Sequence, residues 1–254
     1  MLYIIGLGLD KKDISLNALE AIKKCDKIYF ENYTTVFPYT TKELESVIKR
    51  KVIPADRKMV EEKSEIVDEA VKKKVALLVY GDPLAATTHV DIIMRAKKKR
   101  VKVKVIHAPS IITAVAESGM QLYKFGKTAS IAKWQMPSFR PESFYDVVVN
   151  NLQNNAHTLL LLDIGLSIKE ALSYLESMSR MKDPNIAGWD FIVCEKMGTD
   201  KQKITFGKID DLMKMKFSLP ACLIVPANMH FAEREMLDTW KAPERSGNKI
   251  KKKK

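Results

Sequence analysis

The residues best suited to chemistry follow an apolar run in the first half of the chain. Gly81, Asp82 and Pro83 follow Val75–Val79, five apolar residues without a polar break, with only Tyr80 between them. A short Val-rich run predicts a strand buried on both faces, as in the middle of a parallel sheet. Asp82 would then lie at the carboxyl end of a central strand, where open α/β sheets bind their ligands. Glycine lets backbone approach a ligand closely and proline fixes the bend. An ordinary tight connection has the same composition, so the turn alone leaves both interpretations open.

Three further apolar runs end in turns of their own. The first run, Met1–Ile5, ends in Gly-Leu-Gly-Leu at 6–9, the second ends at 104–110 (KVIHAPS), and the third is 157–164 (HTLLLLDI). The first turn is not a dinucleotide fingerprint, because no third glycine follows at the required spacing. Several strand ends therefore carry candidate ligand-binding loops.

Other kinds of chemistry find no support in the spacing of the residues. The four histidines share no metal-ligand spacing, and no Ser/His/Asp constellation is recognisable, so we expect no metal and name no catalytic residue. The three cysteines form no Cys-x-x-Cys pair, which argues against zinc and redox motifs. Cys194 and Cys222 lie in apolar runs and are predicted to be buried as small hydrophobic residues.

The elements that must position these loops alternate along the chain. Strands alternating with helices predict parallel βαβ units in an α/β domain, residues 1–109. Alternating lysines in Val101–Ile106 predict an edge strand or a strand exposed on one face. Residues 110–240 predict a second α/β domain with mixed strand directions. Three helix starts carry predicted caps: Thr87 or Thr88 before 91–99, Ser110 before a linking helix, and Ser167 before 167–178.

Charge and hydropathy limit the partners and the compartment that can be expected for the chain. The net charge is +12, and residues 241–254 hold seven Lys or Arg against one Glu, which is half of that charge. This end has almost nothing apolar to bury and is predicted to be disordered. It could contact RNA or another polyanion, or only keep the chain soluble, and both interpretations stay open. We expect no membrane span and no signal peptide, hence a cytoplasmic protein.

Several phrases, taken together and in order, resemble one known family. They are GLGL at 6–9, GDPLAATTH at 81–89, IHAPSI at 106–111, GMQLYKFGKT at 119–128, RPESFYD at 140–146 and HTLLLLDI at 157–164. They resemble the diphthine synthase family within the tetrapyrrole methylase-like, class III S-adenosylmethionine (SAM) methyltransferases. The resemblance implies two α/β domains with a cofactor cleft between them. It also implies methylation of a modified histidine on translation elongation factor 2 to give diphthine, and a homodimer.

The same resemblance implies which residues contact SAM. In the first domain and the segment that follows it they are Leu9, Asp82, Ala85, Ser110 and Ile111. The second domain would add Leu161, Phe206 and His230. Residue type alone allows other roles: Leu9 and Leu161 as core, Ile111 as a buried helix face, Ser110 as a cap, and His230 as a partner of a carbonyl.

Two other functions are weighed beside this one. Another SAM enzyme on the same scaffold would methylate a tetrapyrrole or ribosomal RNA, but QLYKFGKT and GDPLAATTH argue against it. A basic RNA-binding module would suit the charge, yet aromatic residues make up only 8% and no RNA-recognition motif is present. The number of methyl groups added and the acceptor of the amine proton are left open by the sequence.

Overall fold

The chain forms two five-stranded sheets in the computed structural model, which describes residues 1–135, 138–182 and 188–241. The first sheet has the order β3-β2-β4-β1-β5, and every pairing is parallel. Its strands are β1 (Leu2–Gly6), β2 (Lys27–Glu31), β3 (Ile53–Ala55), β4 (Val75–Val79) and β5 (Val103–Ile106). The predictions of a central β4 and an edge β5 are both confirmed.

Helices cover both faces of this sheet, which explains why β4 is apolar throughout. Helices α1 (Leu16–Lys23) and α2 (Thr41–Ile48) lie on one face, and α3 (Glu65–Lys72) and α4 (Val90–Lys98) on the other. Because side chains alternate along a strand, the odd-numbered residues of β4 pack under α3 and α4 and the even-numbered ones under α1 and α2. The strand is therefore buried on both faces, and a polar loop follows only where it ends, at Gly81 and Asp82.

The second sheet has the order β6-β7-β10-β8-β9 and mixed strand directions, as predicted. Only β6 and β7 pair in parallel; the other neighbours are antiparallel. The strands are β6 (Ala129–Ile131), β7 (Thr158–Leu162), β8 (Asp190–Glu195), β9 (Lys203–Lys208) and β10 (Ala221–Val225). The helices of this half are α5 (Ile111–Ala114), α6 (Ser143–Gln153), α7 (Ile168–Lys182), α8 (Ile209–Leu212) and α9 (Phe231–Asp238). The predicted α/β fold class with two sheets is confirmed.

The two halves meet through one face of the second sheet. Helices α6 and α7 cover its outer face, while its inner face packs against a shared core that includes Leu9 and Tyr80 from the first half. The predicted boundary at residues 109 and 110 falls between β5 and α5. The predicted basic tail lies outside the described residues, apart from Lys241. In the described ranges, no helix is long and apolar enough to cross a bilayer.

Two of the predicted helix caps are wrong. The N-cap position of α4 is occupied by His89, whose side chain makes no capping hydrogen bond. The hydroxyl of Thr87 instead donates to the carbonyl of Pro83 at 2.7 Å, and that of Thr88 donates to Glu61. Ser110 does occupy the N-cap position of α5, but its side chain makes no capping hydrogen bond. The Ser167 cap is confirmed, since its hydroxyl accepts from the amide of Glu170 at 3.2 Å.

Candidate functional site

A cleft opens between the two sheets, beside the carboxyl end of β4. It holds about 800 Å³ of space when the solvent at its open mouth is included. Six of the predicted cofactor residues line it: Leu9, Asp82, Ala85, Ser110, Ile111 and Leu161. The structure therefore brings together loops from both halves of the chain that are distant in sequence.

Two glycine loops are joined at the first wall of the cleft. The amide of Gly81 donates to the carbonyl of Gly8 at 2.9 Å, and the amide of Gly8 donates back at 3.3 Å. Both residues have a positive φ, +75° for Gly8 and +68° for Gly81, in the left-handed region that favours glycine. Leu9 and Asp82, which follow these glycines, are consequently held side by side.

Asp82 joins two segments of this wall. Its Oδ1 accepts from the amide of Leu84 at 2.9 Å, and its Oδ2 accepts from the amide of Ala108 at 3.2 Å. The same Oδ2 lies 2.8 Å from Nδ1 of the exposed His107. The carboxylate thus joins the end of β4 to the end of β5 and places a negative charge at the cleft, beside Ser110.

The second wall is apolar and comes from the second sheet. Cys222 on β10 lies directly opposite both Leu161 on β7 and Cys194 on β8 in the strand register. All three line the cleft, together with Met197. The hydrogen bond with Cys222 and burial raise the pKa of the Cys194 thiol well above its usual range. This wall is therefore uncharged, and the prediction that both cysteines are buried is confirmed.

Phe206 and His230 do not line the cleft. Phe206 belongs to the shared core behind the second wall, and its backbone amide donates to the carbonyl of Trp240 at 2.8 Å. His230 is exposed and caps α9, with its Nδ1 accepting from the amide of Ala232 at 3.4 Å. Its partner is an amide rather than the carbonyl considered as an alternative.

Sequence reasoning missed several polar residues of the cleft. Thr34 and Thr35 line it from the loop after β2, Tyr80 and Thr87 from the segment around Asp82. Tyr80 donates to the carbonyl of Leu9 at 3.0 Å, and burial raises the pKa of its phenol, so it remains a neutral donor. The sequence could have predicted the two threonines. They follow β2 just as Asp82 follows β4, and the carboxyl ends of parallel strands lie at the same edge of a sheet.

Two buried histidines have carboxylate partners instead of metal-ligand neighbours. His89 lies against Glu31, and His157 against Glu233. Among residues 1–135, 138–182 and 188–241, no group of three or more His, Cys, Asp or Glu side chains could hold a metal ion.

Comparisons with known proteins agree with this architecture. Residues 1–213 match the family model of Tetrapyrrole (Corrin/Porphyrin) Methylases. The chain is 40% identical to a diphthine synthase of Methanococcus maripaludis strain C5, over 93% of this chain and 97% of that protein. It is 38% identical to a diphthine methyl ester synthase of Bos taurus, over 97% of each. A crystal structure of a diphthine synthase superposes with a TM-score of 0.87 at 33% identity, covering 95% of this chain and 96% of the other.

Proposed function

We propose, from the premise that this chain belongs to the tetrapyrrole methylase family and to its diphthine synthase branch, that it uses SAM to methylate the modified histidine of translation elongation factor 2. Relatives named for this activity come from archaea, plants and animals, and the chain is a methyltransferase of diphthamide biosynthesis. The observation that supports the cofactor most is the cleft itself, where six of the eight residues implied by the family resemblance lie together.

The lining of the cleft suits a ligand with a polar tail, a ribose and an aromatic ring. The polar groups are the carboxylate of Asp82 and the hydroxyls of Ser110, Thr34, Thr35 and Thr87, all near the first wall. Leu9, Ile111, Leu161 and Met197 supply apolar contact for a ring. Such a site, mostly apolar with a few placed polar groups, is typical of cofactor pockets. Phe206 and His230 remain predictions from the family resemblance.

The reaction requires few groups beyond those that position the two reactants. When bound, SAM supplies a methyl group already activated by its sulfonium, so positioning the acceptor amine in line supplies much of the rate. We propose that the acceptor enters by a groove that continues from the cleft past Thr35, Leu162 and Ala221 to Asp163. The exposed carboxylate of Asp163 would face an incoming cation there.

The setting of the reaction follows from the substrate. A translation factor works in the cytoplasm, and we propose that compartment for this chain. We also propose a homodimer, because large apolar side chains such as Leu16, Tyr123 and Phe231 are exposed by about 80%, 82% and 75%. The predicted basic tail would contact RNA or the protein substrate.

Calorimetry with SAM and with its demethylated product tests the cofactor. The parent protein should bind both, and Asp82→Ala and Ser110→Trp should each weaken binding, the first by loosening two loop segments and the second by filling the cleft. Asp200→Ala is the matched control, because Asp200 is exposed and pairs only with the exposed Lys12. Equal affinity of all four proteins would contradict the proposed site.

A further inference from the structure

Two loops of the cleft are joined behind it by a buried pair of ionisable side chains. Glu31 is the last residue of β2 and His89 directly precedes α4. Their side chains are 0% and 1% exposed. Neither residue lines the cleft, and neither was singled out by its sequence context.

The contacts of His89 determine where its protons lie. Nδ1 is 2.9 Å from the carbonyl oxygen of Pro83, which can only accept, so Nδ1 carries a hydrogen. Nε2 is 2.5 Å from Oε2 of Glu31. The two atoms are not aligned for a conventional hydrogen bond, and neither makes one with any other group in the part of the chain that the structure describes. The contact is therefore a buried ion-pair contact, in which the carboxylate favours a protonated imidazole.

Each member of the pair holds one loop that faces the cleft. Glu31 accepts through its other oxygen, Oε1, from the hydroxyl of Thr34. His89 holds Pro83, whose carbonyl also accepts from the hydroxyl of Thr87 at 2.7 Å. Thr34 and Thr87 both line the cleft. The pair is therefore a bridge between the loop that follows β2 and the loop that follows β4.

The loop after β4 requires stabilising contacts from outside the loop. Ala86 has a φ of +55°, in the left-handed region that costs a residue with a Cβ free energy. A conformation of this kind persists only where surrounding contacts over-determine it. Within the loop, Ala85 donates to the carbonyl of Asp82 at 3.2 Å, and Leu84 donates to its side chain.

We infer that Glu31 and His89 are positioning residues for the methyl donor, which act by fixing the loops 32–36 and 81–88 in the conformation that binds it. The ligand named here rests on the proposed function, but the positioning of the loops does not. The charge state agrees with the geometry: burial by itself would lower the pKa of His89, but the contact with Glu31 raises it above its usual range.

The two simplest substitutions of Glu31 should behave differently. Glu31→Ala leaves the hydroxyl of Thr34 and Nε2 of His89 without a partner, so both loops should sample other conformations. Glu31→Gln keeps an acceptor for Thr34, and its amide can donate to a neutral His89, whose Nδ1 still donates to Pro83. If the competent conformation falls to about one tenth in Glu31→Ala, the dissociation constant for SAM rises about tenfold.

Hydrogen exchange in the ligand-free protein, together with calorimetry, tests the inference. Glu31→Ala should speed exchange of the amides of Leu84 and Ala85 by about tenfold and weaken SAM binding to match, while Glu31→Gln restores both. The control is Glu69→Ala, because Glu69 pairs with Lys27 at the opposite end of β2, away from the cleft. Glu69 is a partly buried carboxylate, 28% exposed. Glu69→Ala should change neither quantity, whereas a general effect of losing a carboxylate from β2 and its neighbours would change both.

The outcomes separate this inference from the proposed function. Unchanged exchange at Leu84 and Ala85 in Glu31→Ala overturns the positioning role, whatever the affinity for SAM. Faster exchange in a protein whose parent does not bind SAM supports the positioning role and contradicts the proposed cofactor. If Glu31→Ala does not fold, His89→Asn takes its place: its amide can still reach Pro83 but not Glu31, and the same loss at the two amides is expected.

Discussion

Replacing Glu233 with alanine is expected to destabilise the second domain by about 3 kcal/mol. The carboxylate is buried at the start of α9 and accepts four hydrogen bonds. Its Oε1 accepts from the amide of Gln121 at 2.9 Å and lies 3.0 Å from Nε2 of His157; its Oε2 accepts from the amide of His230 at 2.8 Å and from Nζ of Lys124 at 2.5 Å. Alanine would leave three of these donors without an acceptor, while Nζ of Lys124 would keep the carbonyl of Asn228 at 2.9 Å.

The magnitude follows from the protonation equilibrium of this carboxyl group. Burial by itself would raise the pKa of Glu233, but the hydrogen bonds from Lys124, Gln121, His230 and His157 lower it from 4.5 to about 2. At about 1.4 kcal/mol per pKa unit, this difference stabilises the folded protein by about 3 kcal/mol at pH 7. Breaking a buried ion pair by removing one partner costs about 3–5 kcal/mol, which is consistent with that value.

The same equilibrium sets the pH dependence of the effect. Because the folded-state pKa lies below the unfolded one, the contribution is fully present above pH 4.5 and is lost as the pH falls through about 2. At pH 3 it should be about 1.5 kcal/mol. Burial also lowers the pKa of His157, so the parent loses further stability as the pH falls below 6.5.

Urea unfolding followed by circular dichroism at pH 7 and pH 3 measures both quantities. Glu235→Ala is the matched control, because Glu235 is exposed on the same helix and should change the free energy of unfolding by less than about 0.5 kcal/mol. A loss of less than about 1 kcal/mol at pH 7 for Glu233→Ala, or a loss of equal size at pH 3, would refute the reasoning.

Three further predictions concern the cleft, the assembly and the tail. A Cβ on Gly198, which has a φ of +76°, would lie 2.9 Å from Cβ of Leu9, so Gly198→Ala should shift Leu9 and weaken SAM binding. Gly165→Ala, at a similar φ of +75° but with no atom within 4 Å, should not, and equal affinities would exclude this coupling. Light scattering at micromolar protein should give about twice the monomer mass of 28.9 kDa, and a single species at that mass would contradict a homodimer. Deleting residues 247–254 should leave SAM affinity unchanged and slow capture of the protein substrate at low salt only; equal rates at every ionic strength would make the tail a solubilising end.

The fold was predictable because its signals are local. The unbroken apolar run of β4 requires burial on both faces, and the lysines of β5 require one exposed face, so both strands could be placed in the sheet before their partners were known. The caps at Thr87 and Thr88 were wrong because α4 begins at Val90, which places His89 and not a threonine in the N-cap position.

The site was predictable only in part. Asp82 followed from its position after a central strand, but Leu9 and Leu161 are ordinary core residues by type, and only the family resemblance indicated a cleft. The wall of Cys194 and Cys222 depends on which strands are neighbours, a long-range pairing that spacing does not reveal. The bridge of Glu31 and His89 joins residues far apart in the sequence, and only the folded chain brings them within 2.5 Å.

A methyl-transfer assay on elongation factor 2 tests the central claim most directly. The acceptor is the factor carrying the unmethylated precursor side chain, incubated with SAM and the parent protein and digested for mass spectrometry. We predict a mass increase in whole methyl units on the peptide that contains the modified histidine, and much less with Asp82→Ala. Absence of methylation on that peptide by a parent protein that binds SAM would contradict the proposed substrate.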